Sequence, residues 1–264
     1  FCSYQEPVHR IPTNSEYQTE QRRRLFMSTF ERVKVPAGSE NRPYYKYYLQ
    51  EMAPVPEEKL ALWENGSSAT EEALKIEEIN KILDPGYLPD ENGFRMLENG
   101  TALVSNLTKC EGVTGEMFQW WFAWHPIDPL RYAIWDPFDH YDSIISEEDR
   151  IRAMDPTVSV YDKTFNLDQT VIESLVMGTP GAPIELQFRT PEFYGIHAAD
   201  KLGTEALSFI VCANGTIRTP EGIPDVPAFM LHTTRDTEYG CELRSRFWIG
   251  YHIIDGNPVC MVPP

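Results

Sequence analysis

Ala206-Leu207-Ser208-Phe209-Ile210-Val211-Cys212-Ala213 and Ala228-Phe229-Met230-Leu231-His232-Thr233-Thr234 are the runs on which the fold turns. Each is short, rich in β-branched and aromatic side chains, and bounded by Gly, Pro or Asn, which is how a strand reads in sequence. Working outward, Val158–Phe165, Thr170–Met177 and Ile184–Phe188 repeat the pattern and predict a curved antiparallel sheet. Further upstream, Phe94–Leu97 and Ala102–Leu107 flank Glu98-Asn99-Gly100, and Asn-Gly between two apolar runs predicts a hairpin. The spacing of Leu74, Ile76, Ile79, Ile82 and Leu83 predicts a helix over 67–83, stopped by Pro85-Gly86, and the aromatic run 113–124 predicts a buried helix. Segment 144–156 reads as a charged helix or loop. Helices first and many strands afterwards argue for an α+β fold.

The chain has 264 residues, of which 42% are hydrophobic, so it can bury a sizeable core. Its 23 Lys+Arg stand against 40 Asp+Glu, a formal charge of −17. Such a chain repels phosphate backbones and anionic lipid, which argues against nucleic acid and membrane partners and for a small molecule. Four Asn-X-Ser/Thr sequons begin at Asn65, Asn99, Asn106 and Asn214, and the chain starts at Phe1. They fit a secreted glycoprotein, or ordinary Asn-Gly turn chemistry in a cytoplasmic one. Cys2, Cys110, Cys212, Cys241 and Cys260 form no Cys-x-x-Cys; two disulfides or five free thiols are both open. No His-Glu-x-x-His, Gly-x-Ser-x-Gly, P-loop or dinucleotide fingerprint occurs.

Two stretches carry unusual chemistry. Four of the six tryptophans fall within Gly115–His140, which includes Trp120-Trp121-Phe122-Ala123-Trp124-His125 and Arg131-Tyr132-Ala133-Ile134-Trp135. That density is either a packed aromatic core or a pocket wall for a flat aromatic ligand, with Trp121, Trp124, His125 and Trp135 as binding residues. The second stretch is His232-Thr233-Thr234-Arg235-Asp236 followed by Glu242-Leu243-Arg244-Ser245-Arg246. His232 and Asp236, four apart, share one face of a helix or of a strand, as many structural pairs also do. Arg244 and Arg246 suit the neutralising of buried carboxylates as well as ligand contact. Glu173 lies inside the apolar run Val171–Val176, where a carboxylate is costly to bury unless paired or metal-bound.

Leu83-Asp84-Pro85-Gly86-Tyr87-Leu88, Glu91-Asn92-Gly93-Phe94, Gly112–His125 and Arg131-Tyr132 together resemble the 2,4-diacetylphloroglucinol hydrolase family, which includes phloretin hydrolase. The similarity runs from about residue 80 to about residue 250 and is strongest over 83–140. It implies a helix-grip (Bet v 1-like) fold, in which a curved antiparallel sheet wraps a long helix around a large cavity. It also implies a helical or extended N-terminal region, residues 1–85, that supports a homodimer, and a catalytic domain over 86–264. The activity implied is hydrolytic removal of an acyl group from a polyphenol ring by carbon–carbon cleavage, with zinc held by two histidines and two carboxylates. Position by position, the ligands implied are His140, eight residues after Tyr132, then Glu173, His232 and Asp236. Glu242 competes with Asp236 for the last place, since the family has Glu where this chain has Asp. Tyr132 and Glu242 are the implied catalytic residues. Trp135-Asp136-Pro137 stands where the family often shows Trp-His-Pro. That departure keeps two other readings in play: a metal-independent isomerase, cyclase or pericyclase in the same cavity, and a binding protein for aromatic metabolites.

Overall fold

A computed structural model of the chain describes residues 31–64, 73–175 and 179–262. Its centre is one eight-stranded antiparallel sheet in the order β1-β2-β8-β7-β6-β5-β4-β3. The strands are β1 (Gly93–Met96), β2 (Ala102–Glu111), β3 (His140–Ile145), β4 (Leu167–Glu173), β5 (Ala182–Phe188), β6 (Phe209–Ile217), β7 (Val226–Thr237) and β8 (Gly240–Ile249). A separate hairpin joins β9 (Tyr251–Ile254) to β10 (Asn257–Cys260) through Asp255 and Gly256, both at positive φ as a tight hairpin turn requires. Among the described residues the α-helices are α1 (Tyr45–Tyr48), α2 (Glu57–Glu64), α3 (Gly115–Trp124), α4 (Pro129–Trp135), α5 (Glu147–Met154) and α6 (Val160–Thr164). This is an α+β architecture of the helix-grip type, with α3, at ten residues, as its longest described helix.

The sheet separates two layers because side chains alternate along each strand. Phe209, Val211 and Ala213 of β6 and Cys241 and Leu243 of β8 turn to one face, where Phe118 and Phe122 of α3 cover them. Ile210, Cys212, Phe229, Leu231 and Trp248 turn to the other, under Tyr251 and Ile253 of the small hairpin and a 3₁₀ run, Ile76–Leu83. Trp248 is buried in this back layer and its indole N–H donates to the Leu74 carbonyl at 2.8 Å. Truncating a side chain of that size in a core costs about 3–5 kcal/mol.

Charge also holds the back layer together. Arg244 donates from Nε and Nη2 to Glu91 at 3.1 and 2.5 Å and from Nη1 to the Ile82 carbonyl at 2.8 Å. Arg246 Nη2 reaches the same carboxylate at 2.9 Å. Arg235 donates to Glu242 at 2.7 Å and to the Gly86 carbonyl at 2.6 Å. The segment from Ile82 to Glu91 is thereby fastened to the sheet by guanidiniums that β7 and β8 project backwards.

Several expectations hold and others shift. The hairpin around Asn99-Gly100 is present, with Met96 opposite Ala102 and Gly100 at φ 79. The predicted helix over 67–83 becomes a 3₁₀ run over its described part; residues 67–72 lie outside the described residues. Ile76, Ile79 and Ile82 recur at intervals of three, the 3₁₀ repeat, and all are buried. Val158–Phe165 is no strand: Ser159 accepts from the Asp162 N–H and caps α6 instead. Asn214 is buried and works as part of a ladder, donating to the Ile253 carbonyl and accepting from the Ile253 N–H, both at 2.8 Å. The sequon at Asn65 lies outside the described residues. Among those residues no helix is long and apolar enough to cross a membrane.

Candidate active site

The site is built where α3 and α4 lie against β3 and β4. α3 starts at Gly115 because Thr114 accepts from the Met117 N–H and Asp236 Oδ1 accepts from the Gly115 N–H at 2.8 Å. A glycine is needed there, since a Cβ would stand 2.5 Å from Ser208 Oγ. α4 starts after Asp128, whose side chain accepts from the Leu130 N–H, with Pro129 in the first turn. The turn between the two helices brings His125 over Tyr132.

Four rings then stack in a column. Trp121 lies on His125 (5.5 Å between centroids, 20° between planes), His125 on Tyr132 (5.6 Å, 24°), and Tyr132 on His140 (4.1 Å, 8°). His140 opens β3 directly opposite Glu173, the last residue of β4, and its Nε2 is 3.8 Å from Glu173 Oε1. The Tyr132 hydroxyl donates to that same carboxylate oxygen. Val171, on the same face as Glu173, packs with Ile184 against Tyr132 and fixes the ring. Alternation along β4 sets Gln169, Val171 and Glu173 on one face, which puts the carboxylate beneath the aromatic column.

The electrostatics follow from desolvation. Burial pushes the Glu173 carboxyl up to about 7. It pushes His125 and His140 down to about 4, against a smaller opposing pull on His140 from Asp136. Burial alone takes His232 down to about 4. Between about pH 4 and 7, then, Glu173 holds its proton while the imidazoles are neutral. His140 and Glu173 keep 17% and 23% of their side-chain exposure, so solvent still reaches both. His140 Nδ1 lies 3.3 Å from the Tyr132 carbonyl and His125 Nδ1 2.9 Å from the Trp121 carbonyl. A carbonyl only accepts, so both Nδ1 atoms carry hydrogen and both Nε2 atoms present a lone pair.

The structure brings Tyr132, His140, Glu173, His125 and Trp121 together, with Trp135 at the rim, 5.8 Å from Trp121 and about half exposed. Trp124 adjoins the column through Trp121, 5.6 Å away, and also stacks on Trp120 at 4.9 Å with the Arg131 guanidinium 4.4 Å from its ring. His232 lies on the helix-covered face of β7, 5.9 Å from Phe122 and 5.5 Å from Phe247, and its Nδ1 is 2.8 Å from Ser245 Oγ. Asp236 is not with it. Four residues along a strand span about 13 Å, and Asp236 is taken up by Gly115 and by Ser208 Oγ at 2.8 Å. Glu242 projects from the opposite face of the sheet. Burial pushes it up, but Arg235, Tyr87 and Tyr239 outweigh burial and hold its carboxyl below the usual range. Among the described residues no three His, Cys, Asp or Glu side chains form a group that could hold a metal ion. His140 Nε2 and the Glu173 carboxylate fit two corners of a zinc shell, which normally has four; His232 and Asp236 do not supply the others. Ser245 and Phe247 carry no motif in the sequence; pairing Thr237 with Gly240 as a hairpin is the signal that sets Ser245 opposite His232.

Comparison with known proteins gives the same direction. Phloretin hydrolase of Eubacterium ramulus is 38% identical over 238 residues, covering 88% of this chain and 82% of that protein. 2,4-Diacetylphloroglucinol hydrolase of Pseudomonas protegens is 29% identical over 219 residues, covering 82% of this chain and 68% of that one. A second 2,4-diacetylphloroglucinol hydrolase, from a Pseudomonas species, is also 29% identical, covering 71% of its length. The family described as DAPG hydrolase PhiG domain matches residues 74–262, well over half the sequence and the whole of the sheet with its column of stacked rings, and the chain belongs to it.

Proposed function

We propose that the protein hydrolyses the carbon–carbon bond between an acyl group and a phloroglucinol-type ring. The observation that carries this reading is the Tyr132–Glu173 hydrogen bond beside His140, at the foot of an aromatic column. The likeness to phloretin hydrolase and 2,4-diacetylphloroglucinol hydrolase supports the substrate class.

The reaction consumes one water. Its oxygen bonds to the acyl carbonyl carbon, the bond from that carbon to the ring breaks, and the ring carbon ends with a hydrogen. The chain must therefore take a proton from water and give one to the ring. Tyr132, whose hydroxyl donates to Glu173, is the proton donor and relay to the ring, and Glu173 holds that hydroxyl in position. The neutral His140, with a free Nε2 lone pair, is the group able to accept a proton or to hold a cation. Trp121 and Trp135 offer flat faces to the ring. Were zinc bound, His140 Nε2 and an ionised Glu173 would be the two groups of this chain to hold it, and it would supply Lewis-acid chemistry for the acyl carbonyl. His232, bonded to Ser245 between Phe122 and Phe247, is placed to meet a polar end of the substrate rather than the same cation.

The test is incubation of purified protein with phloretin and with 2,4-diacetylphloroglucinol, followed by mass spectrometry. Release of a carboxylic acid and the deacylated ring is expected, with the activity lost on chelation and in His140→Ala. Recovery of both compounds unchanged from zinc-supplemented protein overturns the reading.

A further inference from the structure

Cys110 on β2 and Cys241 on β8 stand directly opposite each other in the sheet. Opposed residues of an antiparallel pair turn their side chains to the same face, and both thiols belong to the cluster under Phe118 of α3. Two residues further on, the Gly112 N–H donates to the Tyr239 carbonyl at 2.8 Å, so this stretch of the ladder is regular. By alternation, Cys110 and Cys241 also form a hydrogen-bonded pair, with a Cα separation of about 5.5 Å. That falls inside the range of about 4.4–6.8 Å that disulfides span. The Cys110 thiol donates to the Thr108 carbonyl at 3.7 Å, and each of the two thiols shifts the titration of the other. Cys241 is fully buried, whereas Cys110 is partly exposed.

We propose that Cys110 and Cys241 are a cross-strand thiol pair that closes to a disulfide by exchange with a low-molecular-weight disulfide. Cys110, the accessible thiol, loses its proton and attacks the small disulfide, releasing one small thiol and leaving a mixed disulfide. Cys241 then loses its proton and attacks Cys110 sulfur, releasing the second small thiol. The pair gives up two electrons and two protons, and the small disulfide is reduced to two thiols. Burial raises both thiols, Cys241 to about 12, while Lys59 pulls Cys110 partly back. Exchange is therefore slow at neutral pH, begins at Cys110, and speeds up as pH rises.

The bond staples β2 to β8 beneath the start of α3. Residues 110 and 241 are far apart in sequence, so the constraint falls on a long loop of the unfolded chain.

The experiment incubates the folded protein with oxidised glutathione at pH 8.5, then alkylates, digests and maps by mass spectrometry. The result expected is a cross-linked peptide pair joining Cys110 to Cys241, with a raised thermal midpoint that dithiothreitol reverses. Cys110→Ser should show neither change. Glutathione remaining on Cys110 as a mixed disulfide, or both thiols still open to alkylation after unfolding, overturns the proposal. Both readouts are made on the unmodified sequence, so they stand even if the serine variant folds poorly.

Discussion

Replacing Glu173 by Gln offers the sharpest test of the buried acid. The carboxyl rises from an ordinary value of 4.5 to about 7 because burial disfavours its charge. A folded-state pKa above the unfolded one means that the folded chain holds a proton the unfolded chain has already released. Glu173 therefore does not weaken the fold below pH 4.5, and stability falls as pH rises from there to about 7. At 1.36 kcal/mol per unit, the loss amounts to roughly 3 kcal/mol and is complete above pH 7. The Tyr132 hydrogen bond favours the ionised form and can only make the loss smaller. Gln is neutral and nearly isosteric, so Glu173→Gln lacks this pH dependence. The assay is urea unfolding of both proteins at intervals from pH 4 to 8, with a chelator present so that no cation offsets the charge. The variant should gain on the parent steadily between pH 4.5 and 7 and then hold a constant lead. A difference that stays level across the range, or grows toward acid, refutes the account of a desolvated carboxyl.

Other perturbations separate the roles of neighbouring groups. Tyr132→Phe removes the relay but keeps the ring stack, so kcat should fall by about 10²–10⁴ with KM little changed, read from steady-state kinetics on phloretin. Asp236→Ala should cost about 1 kcal/mol of stability through the lost cap on α3 and leave the zinc content per chain untouched, measured by denaturation and elemental analysis. Glu91→Ala leaves Arg244 and Arg246 buried without their carboxylate and should cost about 3–5 kcal/mol in the same denaturation assay.

The sheet was legible because each run from Thr170 to Thr234 is apolar, β-branched and bounded by turn residues. What escaped was parity. His232, Asp236 and Glu242 sit close in sequence, but β7 and β8 pair as a hairpin with Thr237 opposite Gly240. That register sends Glu242 to the back layer with Arg235, and extended chain carries Asp236 away from His232. Tyr132, His140 and Glu173 lie side by side, and spacing alone could not have placed Glu173 opposite His140, since strand pairing is non-local. The strand expected over Val158–Phe165 failed because Ser159 and Asp162 form a cap that a count of β-branched residues does not see. The 3₁₀ run at Ile76–Leu83 was visible in its interval of three, which a helical reading tolerates and blurs.

Asn214 shows how one side chain can settle a question of timing. Its amide copies a peptide group and ties β6 to β9 from within the protein. An oligosaccharide transferase reaching this sequon would have to act before the sheet closes. A sugar placed there would leave the Ile253 peptide without its partner and wedge the small hairpin off the back of the sheet. Folding and glycosylation at this position are therefore rival fates of the nascent chain.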